Sequence, residues 1–275
     1  MSRPFVKMNG LGNDFVVVEA RSEPFRPSPE QVRAICDRNT GEGCDQLIAI
    51  ERSAHGAFMR VWNADGGQVE TCGNALRCVG WLLMQASGLD EAEIDTAGGL
   101  TRAFSAGERR VSVDMGPPRL DWTDIPLAEE MDTRGIELQI GPVDDPVLHT
   151  PGAVSMGNPH VVFFADREFD DGFVRGSGSL LEHHPLFPEG VNVGFARVLS
   201  PDRIRLRVWE RGAGLTRACG TGACAALVAA SRKGLTGRRA VLELDGGELE
   251  VDWRDDGRVW MTGPVEVERT GTLNL

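Results

Sequence analysis

The chain repeats itself, and that restricts its fold more than any other feature. "RVWNADGGQVETCG" begins at Arg60 and "RVWERGAGLTRACG" at Arg207, so Arg, Val, Trp, Cys and Gly recur 147 residues apart. Downstream, Gly98-Gly99 answers to Gly246-Gly247 at an offset of 148, and Gly116-Pro117 to Gly263-Pro264 at 147. Upstream, Gly12-Asn13 answers to Gly157-Asn158 at 145. Four matches in one order, within three residues of one offset, indicate two copies of one folding unit. The first copy covers residues 1–118 and the second 119–264. The strand-like "VEVER" that follows places residues 265–275 back with the first copy.

The local pattern repeats as well. "DFVVVEA", "LIAI", "FMRVW", "TRAFSA" and "RRVSVDM" are short apolar or alternating runs bounded by Gly, Asp or Pro, and so are "HVVFFA", "IRLRVW", "AVLELD", "ELEVDW" and "RVWMTG"; both sets predict strands. "PSPEQVRAICDRN" predicts an amphipathic helix capped by Ser28, with Pro29 at its first position. A longer helix is expected after each Cys-Gly, "NALRCVGWLLMQAS" and "GACAALVAASRK", ending at Gly88 and Gly234. Both are apolar around most of their circumference and therefore belong inside. The expected fold is α/β of the α+β kind: two pseudo-symmetric lobes, each a strongly curved, mostly antiparallel sheet wrapped around a central buried helix. The helix N-termini would then open onto a cleft between the copies, where ligand sites often form.

The 275 residues are 41% hydrophobic, enough for a substantial core, and carry a net charge of −12. With its basic residues scattered, so acidic a chain is not expected to bind nucleic acid. "MSRPFVKMNG" has no apolar stretch of a secretory signal, and "ACAALVAA" is too short to span a bilayer. A cytoplasmic protein with no membrane partner is the expectation. Its six cysteines are then expected to be free thiols.

Two of them stand apart. Cys72 and Cys219 each precede a glycine at the start of a long helix. A thiol there feels the positive end of the helix macrodipole, which lowers its pKa. The neighbouring N–H groups suit a carboxylate. Two such thiols on opposite sides of one carbon form an acid–base pair that can invert a stereocentre. Cys36, Cys44, Cys78 and Cys224 are expected in the core, as are the repeated Trp62 and Trp209. The spacings C-x5-C and C-x4-C, without C-x-x-C or H-E-x-x-H, argue against zinc, and no metal site is expected.

The segments "KMNGLGNDFVVV", "NADGGQVETCGNALRC", "SMGNPHVVFF" and "ERGAGLTRACGTGACAA" resemble the diaminopimelate epimerases, over residues 5 to 264. The wider superfamily holds proline racemases and phenazine-pathway isomerases of the same two-lobed fold. The resemblance implies epimerisation of LL-2,6-diaminoheptanedioate to the meso form for lysine and peptidoglycan synthesis, by a homodimer without pyridoxal phosphate, metal or other cofactor. The residues agree on pyridoxal: the only lysines, Lys7 and Lys233, stand in no cofactor loop. By resemblance, Cys72 and Cys219 are the acid–base thiols, and His160 and Glu210 tune them. Asn13, Gln46, Asn63, Asn74, Asn158, Asn192 and Glu210 hold the substrate. Arg211 takes its distal carboxylate, for which a planar fork is apt. Gly73, Gly220 and Thr221 hold the reacting carboxylate and its developing charge. Asn9, Leu76 and Thr221 depart from commoner family residues and remove no catalytic group.

A proline or hydroxyproline racemase would use the same thiols but needs no arginine for a distal carboxylate. A phenazine-type isomerase would lack the thiol pair. A thiol oxidoreductase would want C-x-x-C, which is absent. A protein that only clamps an amino acid has no use for two thiols.

Overall fold

The computed structural model describes residues 2–69 and 72–274, so Glu70 and Thr71, which precede the first Cys-Gly, lie outside the described residues. The chain divides into two compact units, Met1–Asp114 with Thr262–Leu275, and Met115–Met261. The first unit contains β1 (Ser2–Gly10), β2 (Asn13–Glu19), α1 (Pro29–Cys36), β3 (Gln46–Glu51), β4 (Phe58–Asn63), β5 (Gln68–Val69), α2 (Gly73–Ser87), β6 (Glu91–Thr96), β7 (Gly99–Ser105) and β8 (Arg110–Asp114). The second opens with a short hairpin of β9 (Gln139–Ile140) and β10 (Leu148–His149). There follow β11 (Gly152–Ser155), β12 (Pro159–Phe164), α3 (Asp171–Glu182), β13 (Asn192–Ser200), β14 (Arg203–Glu210), β15 (Gly214–Thr216), α4 (Gly220–Arg232), β16 (Arg239–Leu244) and β17 (Gly247–Trp253). The chain leaves this unit along β18 (Val259–Pro264), and β19 (Glu266–Asn274) pairs antiparallel with β1 over almost its whole length.

The repeat extends to strand pairing. β2 runs parallel to β3, as β12 does to β13. β4 lies antiparallel between β3 and β5, and β14 between β13 and β15. A parallel step follows each long helix, β4 to β6 and β14 to β16. Hairpins β6–β7 and β16–β17 come next. In the first unit α2 packs against β1 and β2 and also against β6, β7 and β8. One helix can touch strands so far apart in a sheet only if the sheet curls around it. α4 does the same with β11 to β14, β16 and β17.

The sequence explains the helices. Ser28 accepts from the Gln31 backbone N–H, the Gln31 side chain accepts from the Ser28 N–H, and Pro29 follows, a full capping box for α1. α2 is buried almost continuously from Gly73 to Met84 and ends at Gly88 in the left-handed region, φ 72°. α4 is buried from Gly222 to Ala230 and stops before Gly234, φ 71°. At Gly80 the helix lies so close to β7 that an added Cβ would stand 2.5 Å from the Ala103 Cβ.

The sequence reading did not foresee α3. Its glycines at 172, 176 and 178 disguise it. Gly178 is required, because a Cβ there would stand 2.5 Å from Trp209. Asp170 caps it, accepting from the Phe173 N–H.

Candidate active site: two amide-lined thiols

Each unit gathers its candidate residues at one strand end and one helix start. In the first, Asn13 opens β2, Gln46 opens β3, Asn63 closes β4 and Cys72 caps α2. In the second, Asn158 precedes β12, Asn192 opens β13, Glu210 closes β14 and Cys219 caps α4.

Around Cys72, the thiol lies 3.7 Å from the Asn13 Oδ1, to which it donates. Asn74 Nδ2 donates to the same oxygen at 3.4 Å. Asn13 Nδ2 donates to Asp45 Oδ2 at 2.8 Å. Gln46 Nε2 donates to Asn63 Oδ1 at 2.9 Å, while the buried Gln46 Oε1 has no partner. Gly73 and Asn74 form the first turn of α2.

Around Cys219, the sulfur accepts from the Gly222 N–H at 3.3 Å and meets Thr221 Oγ1 at 3.6 Å. Thr221 accepts from Asn158 Nδ2 at 3.4 Å. Asn158 Oδ1 lies 2.9 Å from His160 Nε2, which donates to it in the Nε2–H tautomer. Glu210 accepts from the Thr216 hydroxyl. Asn192 is already tied into the fold: its Nδ2 donates to the Pro159 carbonyl at 2.8 Å and its Oδ1 accepts from the Arg211 N–H at 2.9 Å. Arg211 is exposed and donates to the Glu189 carbonyl at 2.7 Å.

The electrostatics depart from the dipole expectation at Cys219. Burial pushes this thiol well above its ordinary pKa, and the Glu210 carboxylate pushes the same way; Thr221 and the Gly222 N–H pull back without winning. At rest Cys219 is a thiol. His160 goes the other way: burial, with Arg211 nearby, lowers it to about 3, so its ring is neutral at physiological pH. Cys36, Cys44, Cys78 and Cys224 are buried cysteines outside any disulfide, with the Cys36 and Cys44 sulfurs 3.5 Å apart. Cys78 is pushed up to about 12 by burial, as befits a core residue. Lys7 is held by Asp14 at 3.3 Å, and Lys233 donates to the Thr150 carbonyl.

Two residues on this network lay outside the sequence reading of the site. Asp45 precedes Gln46 directly, and the parallel β2–β3 register carries it to Asn13. Arg77 donates to Asn74 Oδ1, three residues before it on α2, at 3.0 Å from full burial.

The family model described as diaminopimelate epimerase matches residues 5–120 and 152–268. The chain belongs to the diaminopimelate epimerase family. It is 60% identical over 282 residues to the diaminopimelate epimerase of Caulobacter vibrioides, covering 99% of this chain and 98% of that one. It is 64% identical over 275 residues to that of Phenylobacterium zucineum, at the same coverage. Among solved structures, a phenazine biosynthesis PhzF-family protein of Enterococcus faecalis superimposes with a TM-score of 0.72 at 16% identity, over all of both chains. A hydroxyproline epimerase of Agrobacterium vitis superimposes at 0.71 and 16% identity, covering 99% of this chain and 91% of that one. These two likenesses establish the fold only. The family is thus α/β with two pseudo-symmetric lobes and an isomerase by its named members, and no described helix is long and apolar enough to cross a membrane.

Proposed function

We propose that this chain interconverts LL- and meso-diaminopimelate with Cys72 and Cys219 as the two acid–base groups. The observation that carries the reading is the repetition: each unit starts its central helix at a cysteine and places a site asparagine nearby, Asn13 on the Cys72 sulfur and Asn158 on Thr221, which meets the Cys219 sulfur. One thiolate removes the α-proton from one face of the carbon. The opposite thiol returns a proton to the other face, and the two sulfurs exchange protonation states. The negative charge developing on the α-carboxylate falls to the helix-start N–H groups of Gly73, Gly220 and Thr221. Glu210, beside Cys219, seats the substrate ammonium; neutralising that carboxylate removes one cause of the high Cys219 pKa and eases proton loss. The unpartnered Gln46 Oε1 suits an ammonium N–H, because a buried acceptor gains most from a donor it lacks. Arg211 takes the distal carboxylate. His160, neutral, holds Asn158 in place. The enzyme works as a cytoplasmic homodimer without cofactor.

The test is incubation with LL-diaminopimelate in deuterium oxide, with reductant and no added cofactor. Meso product carrying one α-deuterium, abolished by Cys72→Ala and by Cys219→Ala, is the expected result. Proline exchange without diaminopimelate exchange would move the substrate to the hydroxyproline class. Silence with both would remove the chemistry.

A further inference from the structure

Asn13 and its counterpart in the repeat, Asn158, turn opposite ends toward the helix starts of their units. Asn158 has its oxygen toward His160 Nε2 and its Nδ2 toward Thr221, which in turn meets the Cys219 sulfur. Asn13 has its Nδ2 occupied by Asp45, so its Oδ1 points to Cys72 and that sulfur receives an acceptor. An amide rotated by 180° fills the same space, so packing alone does not choose its orientation. Neighbours that can only accept or only donate must choose it.

The first unit has one of each. The Asp45 carboxylate can only accept, and it is itself fixed by Arg38 at 2.7 Å and by the Asp14 N–H at 3.1 Å. The Arg77 guanidinium can only donate, and it gives Nη1–H to Asn74 Oδ1. Asn74 must therefore turn its Nδ2 to Asn13, which wants Asn13 Oδ1 there, and Asp45 wants the same orientation from the other end. Both ends of the relay agree. We propose that Asp45 and Arg77 are positioning residues that together fix the Asn13 oxygen, rather than its NH2, against the Cys72 sulfur. The consequence follows from hydrogen-bond chemistry: an acceptor beside Cys72 holds the S–H form, and an NH2 in its place would favour the thiolate. The proposal rests on Cys72 being an acid–base group, but its test does not.

The readout is the pH dependence of alkylation of Cys72 by iodoacetamide, followed on its own peptide by mass spectrometry in the full-length protein. Only the thiolate reacts. Other charged or titratable groups near this thiol among the described residues are Lys7 on β1, Asp14 on β2, Arg38, and Arg77 and Cys78 on α2. The remaining strands packed on α2 carry exposed Glu91, Glu93 and Arg102, Asp95 paired with His55, Arg110, and buried Asp114. The substitution below alters none of these side chains, although Arg38 gives up its Asp45 partner and keeps Asp14. Asp45→Asn keeps the volume and replaces the acceptor-only partner of the shorter bond on Asn13, 2.8 Å against 3.4 Å from Asn74, by an amide that fits either orientation, so Asn13 can turn over. The expected result is a lower alkylation midpoint and about threefold to tenfold faster labelling at pH 7, a size set by one hydrogen bond. In an Asn13→Ala background the same Asp45 substitution should leave the midpoint where it is, because the intermediary is gone. An equal shift in both backgrounds would mean that the Asp45 charge acts directly, and no shift in either would mean that Asp45 does not set the orientation of Asn13; each overturns the proposal. If Asp45→Asn does not fold, neutron diffraction from deuterated wild-type crystals decides. Deuterons of Asn13 facing Asp45 support the proposal, and deuterons facing Cys72 overturn it. Loss of epimerase activity with the alkylation cycle intact would count against the proposed substrate and leave this inference standing.

Discussion

Burial strips His160 of its proton, and that single change sets both its role and a cost to stability. A neutral ring with its proton on Nε2 can donate to Asn158 at every pH at which the protein works. The unfolded chain, by contrast, takes up a proton near the ordinary histidine value of 6.5, whereas the native state refuses it until about 3. Between those values the unfolded state binds more protons, so stability falls as pH falls through this window and is unaffected by this residue above it. His160→Gln keeps a donor and has no such titration. Urea unfolding at pH 7, 5.5 and 4.5 should show the wild type losing up to ~1.4 kcal/mol more per pH unit than the variant over the acid range. Parallel stability curves would mean that the native ring charges freely. The cysteines were legible in the sequence because the repeat marked them. Asp45 and Arg77 were not, because their effect lies in which end of an amide they hold, and residue spacing does not encode that.

The two central helices lie against their sheets by contacts that leave no room for a methyl group. α2 meets β7 where Gly80 faces Ala103, and α4 meets β11 where Gly152 faces Ala229, a Cβ at 152 standing 2.9 Å from the alanine methyl. The glycine is on the helix in one copy and on the strand in the other, so the close approach, not the residue at a given place, is what the fold repeats. This seats the helix start that carries Cys72. Gly80→Ala brings two opposing effects. Better helix propensity stabilises by about 1 kcal/mol. Overlap with a methyl fixed to β7 costs about 1–3 kcal/mol. Because the Ala103 Cβ is bonded to backbone and cannot swing away, the cost should win, lowering the urea midpoint. Gly80→Ala combined with Ala103→Gly should recover much of the loss. A stabilised single variant would show that α2 and β7 can move apart freely. The helix itself was legible from its apolar circumference. α3 was not, because three glycines interrupt its pattern, and Gly178 among them serves a contact with Trp209 on a distant strand. The repeat could have revealed it: parallel strands need a crossover, and α1 occupies that place between β2 and β3.

At the scale of the whole molecule, the sequence repeat and the chain path differ at their ends. The two copies run in succession, but the chain comes back: β19 returns to pair with β1 from Ser2–Asn274 to Asn9–Glu266, with one irregularity after Lys7. β1 thus lies between β2 and β19, its backbone groups paired on both sides. In the second copy the counterpart of β19 is a single antiparallel bridge, Arg119 to Ser155, and the corresponding strand β11 is short, four residues against nine. An alternating "VEVER" made the strand legible, while its register with β1 depends on a pairing across more than 250 residues of chain. Deleting residues 265–275 therefore removes one whole side of the β1 ladder and leaves every strand pair of Met115–Met261 intact. Hydrogen exchange read by peptide mass spectrometry should show β1 losing protection by an order of magnitude or more, since its remaining partner is β2 alone. Peptides from β12, β13 and β14 should keep theirs. If both units instead lost protection to the same extent, local opening at the β1 edge would be excluded, and the two copies would have to unfold as one cooperative body.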